Sequence, residues 1–182
     1  MTRVLMTTCA FLLVAALPAS AQSRAIAEVL ERSAAGSFRN LTESAEKMPE
    51  AEYGFQATKE TRTFAAFVGH TINSAYNNCS RAKGEANPNT ANLEQETSKA
   101  ALVAAARAVQ AYCGAVYAAQ NDQTLTEMVA AGQNQAPRVQ LLTNIIAHNN
   151  NEYGQKVILM RLRGVVPPTT ERAQAPRPGL ND

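Results

Sequence analysis

The sequence predicts an all-α protein, a four-helix bundle, and three observations carry that prediction. Aromatics are only 5% of the 182 residues and Trp is absent, while Ala is abundant; such a composition suits packed helices better than a β-sandwich. Four long segments place apolar residues at helical spacing. No segment alternates apolar and polar residues with the period of a strand. Hydrophobic residues, at 46%, suffice for one core and exclude a disordered chain. An α-solenoid would need a repeat of fixed period, and none is present. The net charge of +2, from 17 basic and 15 acidic residues, forms no basic block, so nucleic-acid binding is not expected.

Residues 1–21 read as a signal peptide. Arg3 precedes an apolar run from Val4 to Leu17, and Ala19-Ser20-Ala21 supplies the small residues of a cleavage site, leaving Gln22 first. The run is shorter than the ~20 residues of a membrane span; a buried N-terminal helix is its alternative reading. Cys9 lies within the run rather than at a lipid-attachment site. Export places the mature chain in the periplasm or outside the cell, where disulfides form.

The first helix is expected from about Gln22 to Lys47, on a stripe of Ile26, Val29, Leu30, Ala34, Phe38, Leu41, Ala45 and Met48. Pro49 ends it. The second begins near Thr61-Arg62 and stops at Lys83-Gly84. Residues 85–96, with Pro88 and several Asn, read as a crossing loop. Ser98 is a good N-cap for a third helix reaching about Gln120. Residues 121–135 read as loop with one short turn near Leu125–Val129. The fourth helix runs from about Pro137 to Arg163, with Gly164 after it. The bundle thus occupies 22–166, and 167–182 reads as a flexible Pro-rich tail.

Two cysteines remain in the mature chain, both in apolar stripes. Cys79 is 17 residues beyond Arg62 and Cys113 is 15 beyond Ser98. Parallel second and third helices would bring them to one height; a tight antiparallel hairpin would displace them by roughly 15 Å. A disulfide needs Cα atoms ~4.4–6.8 Å apart. The crossing loop is long enough for the parallel return, since fourteen extended residues reach roughly 46 Å. The readings are a Cys79–Cys113 disulfide across parallel helices, or two buried thiols.

The chemistry lies in three residues. His148 and Glu152 share one face of the fourth helix, bracketed by Leu141 and Leu159, with Ile145 beside them. A carboxylate among apolar residues is costly unless it is paired or binds a cation. A His and a carboxylate one turn apart make a two-point clamp for a divalent metal; a helical hydrogen-bonded pair is the plainer reading. His70, the other histidine, reaches the same height within a turn if the second and fourth helices are antiparallel. Two His and one carboxylate with open positions suit a catalytic metal. His70 falls beside the apolar stripe, near Asn73 and Asn77, which read as a pocket wall or a solvated edge. Asn144, Gln155 and Tyr153 are further candidates for hydrogen bonds around the metal. Cys-His and Ser-His-Asp catalysis find no support, because both cysteines sit in core stripes and only two histidines exist.

From Leu41 to Pro168 the chain resembles the DinB-like family of metal-dependent four-helix-bundle proteins. The resemblance rests on Met48-Pro49-Glu50 with Tyr53-Gly54-Phe55, on Arg62-Thr63-Phe64 leading to Gly69-His70, and on Cys79-Ser80 with Ala82-Lys83-Gly84. It continues in Ala147-His148-Asn149-Asn150 through Tyr153-Gly154-Gln155, and in Leu162-Arg163-Gly164-Val165-Val166-Pro167-Pro168. It implies an up-down-down-up bundle with a long crossover between helices 2 and 3. It also implies a divalent metal, zinc or nickel, on His70, His148 and position 152. The family usually has His at that third position, and Glu152 is a departure.

Two functional classes follow. One is an exported metal-dependent enzyme of unidentified small-molecule substrate, either a hydrolase acting through metal-activated water or a thiol transferase. Export disfavours the thiol version, because low-molecular-weight thiols are mainly cytosolic. The alternative is a non-catalytic bundle binding a small ligand or a structural metal. Neither nucleic acid nor, after signal cleavage, a membrane is an expected partner; a homodimer is compatible with the bundle.

Overall fold

A computed structural model describes residues 23–175. The expected signal peptide, with Cys9 and its cleavage site, and residues 176–182 of the expected tail lie outside the described residues. The chain is mostly helical: α1 (Ala25–Lys47), α2 (Phe64–Lys83), α3 (Lys99–Ala118), α4 (Arg138–Leu162) and a short α5 (Pro168–Gln174).

Local chemistry sets the helix ends. Thr63 accepts a hydrogen bond from the Ala66 amide and opens α2, and Ser98 does the same for α3 through Ala101. Gly84 closes α2 at φ 79°, a left-handed position that favours glycine. No residue at its own start caps α1; instead Asp122 Oδ1 accepts from the amides of Ile26 and Ala27. A carboxylate supplied from the segment after α3 satisfies these first-turn donors and complements the helix dipole.

Helix α1 packs on α3 and α4, and α2 packs on the same two helices, with little contact between α1 and α2. The core between them holds Phe38, Leu41 and Met48 of α1, Phe64, Val68 and Ile72 of α2, Leu102, Val109 and Val116 of α3, and Leu142, Ile145 and Met160 of α4. Phe38, Leu41 and Met48 fall on the stripe expected for the first helix, whereas Ile26 and Val29 of that stripe are exposed at the start of α1. Cys79 and Cys113 are joined by a disulfide between α2 and α3, with Cα atoms 5.6 Å apart.

Two segments differ from expectation. Residues 121–135, read as loop, contain the strand β1 (Met128–Ala131) and the start of its antiparallel partner β2 (Asn134–Pro137), which runs on into the expected beginning of the fourth helix. Their two-residue connection starts at Gly132, whose φ of 69° sets a tight hairpin. Pro137 therefore ends a strand, and α4 begins one residue later. The stretch expected to be a flexible tail carries α5, with Pro168 at its first position, where the missing amide costs nothing. Thr169 binds the Tyr153 hydroxyl at 2.8 Å, Glu171 pairs with Lys47 at 2.7 Å, and Arg172 reaches Glu43 and Asn40. These contacts dock α5 on α1 and α4.

Candidate metal centre

Helices α2 and α4 bring His70, His148 and Glu152 together. One ligand atom from each lies within 4.8 Å of the others. The two imidazoles face each other through Nε2, 3.2 Å apart, and His148 Nε2 lies 3.8 Å from Glu152 Oε1. Ligand atoms around a tetrahedral zinc are separated by about 3.4 Å, given bonds of ~2.0–2.1 Å. Two of the three separations, 3.2 and 3.8 Å, are therefore close to the spacing that one divalent ion imposes.

Burial sharpens the chemistry. The Glu152 side chain is only 9% exposed, and its Oε2 has no hydrogen-bond partner among the described residues. A buried, unpartnered carboxylate oxygen is expensive unless a cation answers it. His148 Nδ1 is likewise buried without a partner. Burial, with His70, Lys156 and Arg62 adding to it against the Glu152 charge, holds the His148 imidazole below its ordinary pKa. It is therefore neutral near pH 7, the form that binds metals. Two nitrogen donors and one carboxylate suit a divalent transition metal. The His side chains remain 28% and 30% exposed, so the set opens to solvent on one side.

His70 is held from outside the bundle. Its Nδ1 lies 3.0 Å from Glu94 Oε1, and the same oxygen accepts from Arg62 Nε at 2.6 Å. Glu94 belongs to a one-turn 3-10 helix, Leu93–Gln95, in the crossing segment. That turn lies directly on α2: a Cβ at Gly69 would sit 1.8 Å from the Leu93 carbonyl oxygen. Glycine beside His70 is thus what lets the segment approach. Asn73, one turn on, accepts from Asn89 Nδ2 at 3.0 Å and from the Leu93 amide at 3.4 Å, and donates to Asn92 at 3.3 Å.

Inside the bundle, Lys156 follows Glu152 by one helical turn and is fully buried. Its Nζ donates to Thr71 Oγ1 at 2.9 Å. Desolvation, opposed by the Glu152 charge, brings its ammonium down to about 7. Asn149, also buried, reaches Ser37 Oγ at 3.4 Å. The inward face of α4 is therefore a polar line, Asn149, Glu152 and Lys156, set into an apolar core.

The other expected pocket residues do not gather at the site. Asn73 clamps the crossing segment. Asn77 is half-buried, and its carbonyl accepts from Ser80. Asn144 and Gln155 are exposed. Tyr153 is committed to α5. Sequence reasoning missed Glu94 and Lys156. Lys156 carried a signal in its spacing, four residues after Glu152; Glu94 carried none.

A sequence model of the DinB superfamily matches residues 35–177. The fold is similar to the crystal structure of a DinB-like protein from Bacillus cereus ATCC 10987, with a TM-score of 0.67 and 18% identity, over 78% of this chain and 95% of that one. No curated protein matches the chain.

Proposed function

The chain belongs to the DinB superfamily, and from that premise we propose that it holds a divalent cation, zinc or nickel, on His70, His148 and Glu152 and uses it to hydrolyse a small-molecule substrate outside the cytoplasm. The observation that carries this reading is the buried, unpartnered Glu152 oxygen beside two convergent imidazole nitrogens. A bound cation would supply Lewis acidity and lower the pKa of a coordinated nucleophile. The protein's part is to present three ligands and leave the solvent side open for substrate. His70 and His148 offer Nε2, Glu152 offers a carboxylate oxygen, and Glu94 and Lys156 flank the set. Export, inferred from residues 1–21, favours hydrolysis over transfer of a cytosolic thiol. We read the long helices as an up-down-down-up bundle; the Cys79–Cys113 link between α2 and α3 supports their parallel arrangement.

The test is elemental analysis of protein purified from its native compartment, with chelator-sensitive turnover on a panel of small esters, amides and phosphate esters. Glu152→Ala should lose both metal and turnover while the fold persists, because stability rests on the apolar stripes. Glu152→His should keep the metal. Unchanged metal content in Glu152→Ala would overturn the reading.

A further inference from the structure

We propose that the crossing segment is a metal-coupled clamp, in which Glu94 fixes the His70 tautomer for cation binding and cation binding in turn tightens the segment onto α2. The inference rests on the metal reading above and adds a positioning residue and a regulated element to it.

The argument starts with the proton on His70. Nδ1 faces a carboxylate oxygen at 3.0 Å and a guanidinium nitrogen, Arg62 Nη2, at 3.5 Å. The guanidinium can only donate, and the carboxylate can only accept. The Arg62 contact suits an unprotonated Nδ1; the closer, negatively charged Glu94 oxygen favours the proton on Nδ1, the tautomer that a cation on Nε2 requires. The Nε2 lone pair is then left for the site, where His148 Nε2 stands 3.2 Å away. Two imidazole lone pairs at that distance are tolerated only with a proton or a cation between them. Arg62 Nε, 2.6 Å from the same Glu94 oxygen, holds the carboxylate in place.

Glu94 reaches His70 because the backbone allows it. The Leu93–Gln95 turn rests on Gly69, and Asn73 ties it to α2 through Asn89, Asn92 and the Leu93 amide. A carboxylate accepting from the far nitrogen of a metal-bound imidazole raises the basicity of the ligand and fixes its ring. Linkage makes the effect mutual: the factor by which the docked turn raises cation affinity is the factor by which the cation favours the docked turn.

The experiment uses mature apo-protein and zinc chloride as the probe. Zinc affinity is measured by chelator competition for the native chain, Glu94→Ala, Glu94→Gln and Gly69→Ala. The His70 tautomer is read from 15N imidazole shifts without metal. Hydrogen exchange is followed at the Gln95 and Glu96 amides, which close the turn onto Asn92 and Leu93.

Glu94→Ala should weaken zinc binding roughly 10–100-fold and lose the Nδ1–H tautomer. Gly69→Ala, which forces the turn away, should do the same with Glu94 still present. Glu94→Gln keeps an oxygen acceptor and should stay within a few-fold of the native affinity. Zinc should slow exchange of the two amides in the native chain and not in Glu94→Ala. Native zinc affinity and an unchanged tautomer in Glu94→Ala would overturn the clamp while leaving the metal site standing. A native chain that binds no zinc would overturn the metal site and the clamp with it.

Discussion

Lys156 makes stability depend on pH in a direction opposite to that of an ordinary surface lysine pair. Its ammonium is fully desolvated, which brings it from 10.5 down to about 7 in the folded chain. In the unfolded chain it returns to the usual value near 10.4. The folded pKa is the lower one, so the folded state gives up the proton first. This contribution to stability is complete above the unfolded pKa and is lost as pH falls through the folded one. Between pH 7 and 9 the unfolded chain holds up to one more proton than the folded chain, and stability should rise by up to ~1.4 kcal/mol per pH unit. The folded lysine is half-protonated at about pH 7, so the gain integrated from pH 7 to 9 is about 2 kcal/mol. The window is clean on both sides. His148, held below its ordinary value, titrates beneath it. The Tyr53 and Tyr117 phenols, pushed up by burial, act with the opposite sign only above pH ~10, where unfolded phenols ionise. Lys156→Met removes the charge at similar length, and the Thr71 hydroxyl keeps its 2.7 Å bond to the Phe67 carbonyl. The assay is urea unfolding of disulfide-intact, metal-free protein at pH 7 and pH 9. The native chain should gain about 2 kcal/mol more than Lys156→Met across that interval. Equal gains in the two proteins would refute the reasoning.

Replacing Cys79 and Cys113 by Ser removes a cross-link between residues 34 apart; chain entropy sets its worth at about 4 kcal/mol. Urea unfolding of the double variant should show a loss of that size, and no loss would refute a stabilising disulfide. The exported protein should begin at Gln22 by intact-mass analysis, because Ala19-Ser20-Ala21 offers small residues at both required positions; retention of Met1 would remove the argument for an oxidising compartment.

The legible parts of the site were those with a local rule behind them. His148 and Glu152 could be paired because four residues make one helical turn, and His70 could be added because the chain holds no third histidine. Glu94 obeys no such rule. It stands 24 residues after His70 in a loop, and its placement depends on a backbone contact at Gly69 that only the folded chain reveals. Asn73 follows His70 by nearly one turn and so read as a pocket wall; the crossing segment fills that face instead. The apolar stripe of α1, from Ala34 to Met48, gave its core positions directly. In α4 the apolar face is interrupted by buried Asn149, Glu152 and Lys156, polar side chains that helical spacing alone does not assign to a core. The hairpin escaped because its strands are four residues long and nearly free of β-branched side chains. Helix α5 escaped because its docking contacts, Arg172 to Glu43 and Lys47 to Glu171, join residues far apart in sequence.

The contact at Gly69 also divides the crossing segment by its tolerance of length change. From Glu85 to Pro88 the chain is exposed. Residues inserted there only widen a solvent arc, and the entropic cost grows by about 0.6 kcal/mol for each doubling of its length. From Asn92 to Ser98 there is no such slack. Leu93 must meet Gly69, Glu94 must meet His70, and Ser98 must cap α3 six residues after Asn92. One added residue there forces a choice between holding His70 and starting the next helix. Insertions should therefore be accepted on one side of Asn89 and rejected on the other, although both halves belong to a single loop.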